Sequence, residues 1–509
     1  MKQLSMIIIF AVLTVALRMT PGLIAAETES TVPAKPNIIY ILVDDLGYGD
    51  VHALNPAHSK IPTPNMDRLV AQGMAFTDAH ATSSMCTPSR YSILTGRYNW
   101  RSRLQSGVLN HYGASLIAKD LITAPALLKQ QGYTTACIGK WHLGWQWPEN
   151  AAKTLTASQT LAEGPTTRGF DYYFGQDTPS VAPYCFIEND HIIGELSEQM
   201  PSGYQHNRPG AMVKGWTSEA LLPTLTDRAV RYIREQSPHK TPFFLYFPLS
   251  SIHYPIAPTA EWRGKSGLGD MADFLMQTDA EIGRVLDALE KSGAADNTLV
   301  ILSSDNGRDP TVDWHKNLKQ GHLPSGPFRG CKTTIWDGGH RLPFIARWPA
   351  VITPGTHCGQ LVSEMDFMAT CADILGVKLP DNAGVDSVSL LPLLRGDDKP
   401  VRTTLVHHSH SGKFAIREGK WKLVLCPGSG GWAKPAEPSD AVARKKNLPD
   451  IQLYDMSADK AEQQNLQAKH PEIVARLIQK LEKIVADGRS TPGPEQKNDV
   501  PVDIFKRGK

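Results

Sequence analysis

The chain has 509 residues, 41% of them hydrophobic and 20% charged, a composition that excludes a disordered or fibrous protein. Its 53 basic residues against 51 acidic ones leave a formal net charge of +2, and no basic block marks a nucleic-acid partner. Net charge says little about local fields, so a basic cleft for a polyanion is compatible with this balance.

At the N-terminus Lys2 precedes an apolar run from Met6 to Leu17, and the small residues Ala25 and Ala26 follow. This is the pattern of an export signal over residues 1–26, with cleavage expected near Ala26. Arg18 interrupts the run, which is short for a membrane span. An uncleaved N-terminal anchor is the other reading. No later segment has the length and apolarity to span a bilayer, so an exported mature protein, periplasmic or secreted, is expected. Seven cysteines in such a protein leave at least one outside any disulfide, and the sequence does not choose among the pairings of the rest.

Asn37 to Val43 is a continuous apolar run of strand length, as a strand buried on both faces requires. Thr134 to Ile138, Phe243 to Phe247 and Thr298 to Leu302 read the same way. Helical patterns lie between them, over Ala124 to Gln131, Asp227 to Gln236 and Asp270 to Lys291. The alternation predicts an α/β fold with a large mixed, mostly parallel sheet sandwiched by helices, over residues 36–399. Ligands of such sheets bind beyond the carboxyl ends of the strands.

From residue 400 to 495 a smaller α+β unit is expected. Phe414 to Arg417 and Trp421 to Leu425 flank Glu418, Gly419 and Lys420 as a hairpin. A loop from Pro427 to about Pro449 leads to a short strand at Gln452 to Asp455. Pro471 to Ala486 has helical apolar spacing, and residues 496–509 read as a weakly ordered tail.

Two of the buried-strand patterns end in hard oxygen donors, Asp44-Asp45 and Asp305-Asn306. Adjacent carboxylates repel each other, so a compensating charge is expected. Four oxygen-bearing side chains without a neighbouring Cys or His pair suit Ca²⁺ or Mg²⁺ over Zn²⁺. Either pair alone also reads as a cap for the turn that follows. Cys86 lies two residues before Pro88 and four before Arg90, with Leu94-Thr95-Gly96-Arg97 close behind. Taken alone it reads as a buried thiol at a helix start. Lys140 and His142, alone, read as a solvated lysine beside a packed histidine.

The stretch from Ser84 to Arg97 resembles the formylglycine-dependent sulfatases of the alkaline phosphatase-like superfamily. Val43 to Asp50, Ser304 to Gly307, Gly139 to Gly144, Ser251 to Pro255 and Cys331 to Arg341 resemble that family's other motifs. The Pro183 to Asp190 segment is similar to its arylsulfatase and N-acetylgalactosamine-6-sulfatase-like branch. The resemblance implies that Cys86 is oxidised by a formylglycine-generating enzyme and that its aldehyde hydrate is the nucleophile. It implies that Asp44, Asp45, Asp305, Asn306 and the residue-86 oxygen hold a divalent cation, Ca²⁺ or alternatively Mg²⁺. Arg90, one turn along, would fix the hydrate. Lys140, Lys332 and His253 would contact the sulfate, and His142 would be the base that releases it.

The expected activity is removal of sulfate from a sulfated carbohydrate, with galactose or N-acetylgalactosamine 6-O-sulfate as the substrate. A formylglycine-dependent phosphonate or phosphoester hydrolase is the alternative. A non-catalytic glycan-binding homologue is the third reading.

Overall fold

Four apolar runs form the middle of a ten-stranded sheet in a computed structural model that describes residues 35–432 and 438–506. The expected export signal lies outside the described residues. The central order is Thr298–Ser304, Asn37–Val43, Phe243–Pro248, Thr134–Lys140 and Tyr172–Gln176, all mutually parallel. Phe344–Arg347 and Met74–Phe76 add antiparallel pairs beyond Thr298–Ser304, and Thr356–Cys358 runs parallel to Met74–Phe76 at that edge. The short strands Ile187–Glu188, within the segment linked to the branch, and His191–Ile192, just after it, form the opposite edge.

Alternation along a strand explains the unbroken apolar run of Asn37–Val43. Ile38, Tyr40 and Leu42 enter the core on one face, with Leu127, Phe244 and Phe367. Ile39, Ile41 and Val43 enter the other, with Leu245, Ile282 and Leu286. Helices therefore cover both faces, Asp270–Lys291 and Leu221–Gln236 on one and Ala124–Gln130 and Phe367–Ile374 on the other. Each fully buried Ile or Leu contributes ~1.5–3 kcal/mol, so a charge at Ile41 would disrupt the layer beneath Asp270–Lys291.

The helix expected from Asp227 starts six residues earlier, at Leu221, because Leu221, Leu222 and Leu225 continue its apolar face. The smaller antiparallel sheet has the order Thr404–His408, Phe414–Glu418, Trp421–Val424, Gln452–Asp455. Pro471–Ala486 packs on it through Val474, Leu477, Leu481 and Ile484.

Two expectations need correction here. The loop after Pro427 contains a short helix, Asp440–Lys445, whose Ser439 side chain accepts from the Val442 amide. The end of the chain is packed against the body through its described residues. Arg97 pairs with Asp499 at 2.9 Å, Arg101 donates to Asn498 at 2.8 Å, and Ile504 is buried. The polar composition of the tail concealed partners that lie four hundred residues away. All seven cysteines are buried, and no disulfide joins any of them.

Candidate active site

Strand direction assembles the site. Val43 pairs in register with Ser304, so Asp44-Asp45 and Asp305-Asn306 emerge side by side from neighbouring strands. Lys140 ends a third strand of the same parallel set, and Ser251–His253 follow a fourth. Backbone bonds lock the edge: the Asp44 amide donates to Ser251 O and the Ile252 amide to Asp44 O, both at 2.8 Å. The tight turn after Asn306 requires a glycine, because a Cβ on Gly307 would lie 1.9 Å from the Gly338 carbonyl oxygen.

Cys86 begins the helix Cys86–Thr95 and is 3% exposed. Its sulfur and the carboxylate oxygens of Asp44 and Asp305 lie within 4.8 Å of one another. Burial raises the Cys86 thiol above its usual pKa, so it is not a ready thiolate at neutral pH. With a thiol at residue 86, Arg90 pairs with the strand ends. It donates through Nε and Nη2 to Asp305 Oδ2 at 2.9 and 2.7 Å and through Nη1 to Lys140 O at 3.0 Å. One turn along the helix the guanidinium meets strand-end carboxylates, which are stronger acceptors than the residue-86 side chain.

The other charges are paired as tightly. Lys140 Nζ donates to Asp44 Oδ2 at 2.5 Å, and Lys332 Nζ lies 2.6 and 2.7 Å from the two Asp45 oxygens. Asn306 Nδ2 donates to Asp45 Oδ1 at 2.6 Å. Three buried carboxylates thus face three buried cations. The balance is uneven within the cluster. Burial raises Asp44, but Lys140, Arg90 and Lys332 outweigh it and leave that carboxyl low. Burial pushes Asp45 up to about 7 despite Lys332, with Asp44 adding repulsion. Burial and then Asp44 raise Asp305.

Two buried oxygens, Asp44 Oδ1 and Asn306 Oδ1, have no hydrogen-bond donor. Orphaned hard donors beside three clustered carboxylates fit a divalent cation of the calcium or magnesium type.

Two histidines complete the site. His142 Nε2 lies 3.2 Å from Leu109 O, and Nδ1 has no partner. Donation from Nε2 leaves the Nδ1 lone pair as a proton acceptor. Burial, then Lys140 and Arg90, holds His142 well below its usual pKa, so it is neutral and basic in form. His253 Nδ1 lies 2.9 Å from Tyr254 O, which directs Nε2 away from that carbonyl. Burial, then Lys332 and Lys140, lowers its pKa as well.

Cys86, His142, His253 and Lys332 line one cavity of about 650 Å³. Lys140, Asp44, Asp45, Asp305 and Asn306 are 0–1% exposed and form the support around it. Sequence reasoning missed the Leu109 and Tyr254 carbonyls that orient the histidines, because a backbone acceptor has no signature. It also missed Asp309, 3.8 Å from Lys332, whose only signal is its place four residues after Asp305.

The sulfatase family profile matches residues 36–377, and the profile of the C-terminal region of N-sulphoglucosamine sulphohydrolase matches residues 331–426. The N-acetylgalactosamine-6-O-sulfatase of Bacteroides thetaiotaomicron is 35% identical over 88% of this chain and 93% of its own length. Human arylsulfatase A is 32% identical over 93% of this chain and 92% of its own. A structure solved in connection with the metabolism of multiple glycosaminoglycans by Bacteroides thetaiotaomicron superposes with a TM-score of 0.78 at 32% identity. That match covers 89% of this chain and 99% of the other.

Proposed function

The chain belongs to the sulfatase family and hydrolyses sulfate esters, and we propose that its substrate is a 6-O-sulfated galactose or N-acetylgalactosamine unit of a polysaccharide. The observation that carries the chemistry is the convergence of the Cys86 side chain with Asp44 and Asp305 beneath Lys332 and His253. The N-acetylgalactosamine-6-sulfatases among the relatives support the choice of sugar.

In this reading Asp44, Asp45, Asp305, Asn306 and the residue-86 oxygen hold Ca²⁺, with Mg²⁺ as the alternative. The cation supplies Lewis-acid stabilisation of charge on the sulfate oxygens. Cys86 is converted to formylglycine by a maturation enzyme, and the hydrated aldehyde supplies an oxygen nucleophile for in-line attack at sulfur. Export to the periplasm or the exterior is part of the same reading, supported by the apolar run from Met6 to Leu17.

The chain's own groups do the rest. Lys140 and Lys332 hold positive charge against the sulfate oxygens where charge grows, without reorganising. His253 is kept neutral in the free site by burial and the two lysines. A bound sulfate adds negative charge beside it, favouring protonation and delivery of a proton to the departing sugar oxygen. His142, with Nδ1 free, takes the proton whose loss lets sulfate leave.

Mass spectrometry of the peptide containing Cys86, with parallel assays of wild type and Cys86→Ala, tests this reading. Galactose and N-acetylgalactosamine 6-sulfates and an aryl sulfate are the substrates. Formylglycine in active protein and loss of turnover in the variant are expected. An intact thiol in fully active protein overturns the mechanism. Turnover of aryl sulfate without turnover of either sugar sulfate overturns the substrate.

A further inference from the structure

We propose that Trp432 is a stacking platform for the sugar ring next to the sulfated one, so that the cavity selects an oligosaccharide over a single sugar. The proposal rests on the reading of the substrate as a sulfated saccharide. Trp432 is 48% exposed, the most exposed of the large apolar side chains among the described residues. It lines the same cavity as Cys86, His253 and Lys332. An indole left half in water at the mouth of a polar site has a free apolar face, the surface that the C–H face of a pyranose covers.

The backbone places the ring beside the sulfate-binding lysine and holds it there. A Cβ on Gly431 would lie 2.5 Å from the Thr333 carbonyl oxygen, so only glycine permits this approach to the residue after Lys332. Ser409 Oγ and the Ser411 amide donate to Gly430 O at 2.6 and 3.0 Å. The His410 ring meets the indole edge-on at 6.1 Å between centroids and fixes one side. The loop of Lys332 is itself tied to the nucleophile segment, since the Thr333 amide donates to Ser84 O at 3.0 Å. Lysine, indole and residue 86 are therefore held in one register.

A cavity of about 650 Å³ lies well inside the range that takes a drug-sized ligand, leaving room beyond one sulfated ring. The sulfated sugar is drawn inward by Lys332 and His253. The ring that follows it in the chain meets Trp432 at the mouth.

The test compares wild type, Trp432→Ala and Trp432→Phe on a 6-sulfated monosaccharide and on oligosaccharides carrying the same sulfated unit, with inorganic sulfate as an inhibitor. Expected for Trp432→Ala is a KM roughly tenfold higher on the oligosaccharides, with kcat within about twofold. The monosaccharide KM and the inhibition constant of sulfate should not change, and Trp432→Phe should restore most of the oligosaccharide KM. An unchanged oligosaccharide KM overturns the platform. So does an equal rise for monosaccharide and oligosaccharide, or weaker sulfate inhibition, since either places the indole's effect on the sulfated ring or its pocket. If wild type cleaves no sulfated sugar while cleaving an aryl sulfate, the saccharide reading itself fails and takes the platform with it.

Discussion

Arg90 gives two hydrogen bonds to a single oxygen of Asp305, from Nε at 2.9 Å and Nη2 at 2.7 Å, with both side chains fully buried. The helix that starts at Cys86 is thereby fastened to the strand end at Asp305. Removing the guanidinium leaves buried carboxylates uncompensated, at a cost of ~3–5 kcal/mol. Arg90→Ala should show that loss in denaturant unfolding. Arg90→Lys keeps the charge but not the fork, so it should fold better than Arg90→Ala and need more Ca²⁺ for activity. A calcium requirement equal to wild type in Arg90→Lys would show that Arg90 does not position the Asp305 carboxylate.

Chelation should abolish turnover and lower the melting temperature, with Ca²⁺ restoring both. At a hundred times its dissociation constant a bound ion adds ~2.7 kcal/mol of stability. Asp305→Asn should lose most of the calcium-dependent rise in melting temperature. Thermal melts with and without Ca²⁺ measure this directly, and a wild-type melting temperature indifferent to the ion would rule out the site.

His142→Ala should separate the two halves of the reaction. A positioned base contributes about 10²–10⁴-fold. Steady-state turnover should fall by that factor while one equivalent of alcohol is still released in the first turnover. Rapid-quench measurement of alcohol and sulfate release decides it, and an equal slowing of both would remove His142 from the role of base.

Stability should fall between pH 6.5 and about 4 because of a buried histidine cluster that packs His80 and His340 against His407 of the smaller sheet. His80 lies 2.9 Å from His340, and the rings of His340 and His407 stack at 3.8 Å. Asp78, Arg341, Asp337, Lys422, Arg417 and Glu462 surround them. Burial, then Arg341, depresses His80 from 6.5 to about 4, while Asp78 and Asp337 oppose the shift. A depressed folded-state pKa means that the unfolded chain binds more protons below pH 6.5. Stability present above that value is therefore lost as pH falls towards 4, by ~3 kcal/mol for His80 alone. His340 and His407 are lowered too, with burial again the largest cause, and act in the same direction. Denaturant unfolding at pH 7 and pH 5 should show the difference, and His80→Gln should flatten it. Equal stability at both pH values would contradict the buried neutral state.

The strands at Asn37, Thr134, Phe243 and Thr298 were legible because strands buried on both faces leave unbroken apolar runs. Asp270–Lys291 and Pro471–Ala486 were legible to the residue from their periodicity and end signals. The helix at Asp440 was not, because a single capped turn and a half buries only Ala443 and leaves no pattern.

By itself the sequence determined which residue types stand where: oxygen donors after two buried strands, a cysteine before Pro88 and Arg90, and basic and imidazole groups after others. Such information is local, and the strand and helix periods carry it. Only the tertiary structure decided that Arg90 binds Asp305, that Lys332 binds Asp45, that the tail packs on Arg97 and Arg101, and that Trp432 faces the cavity. Each of these joins positions far apart in the chain. Their partners are set by strand register, close backbone approach and competition among buried charges, none of which a local spacing records.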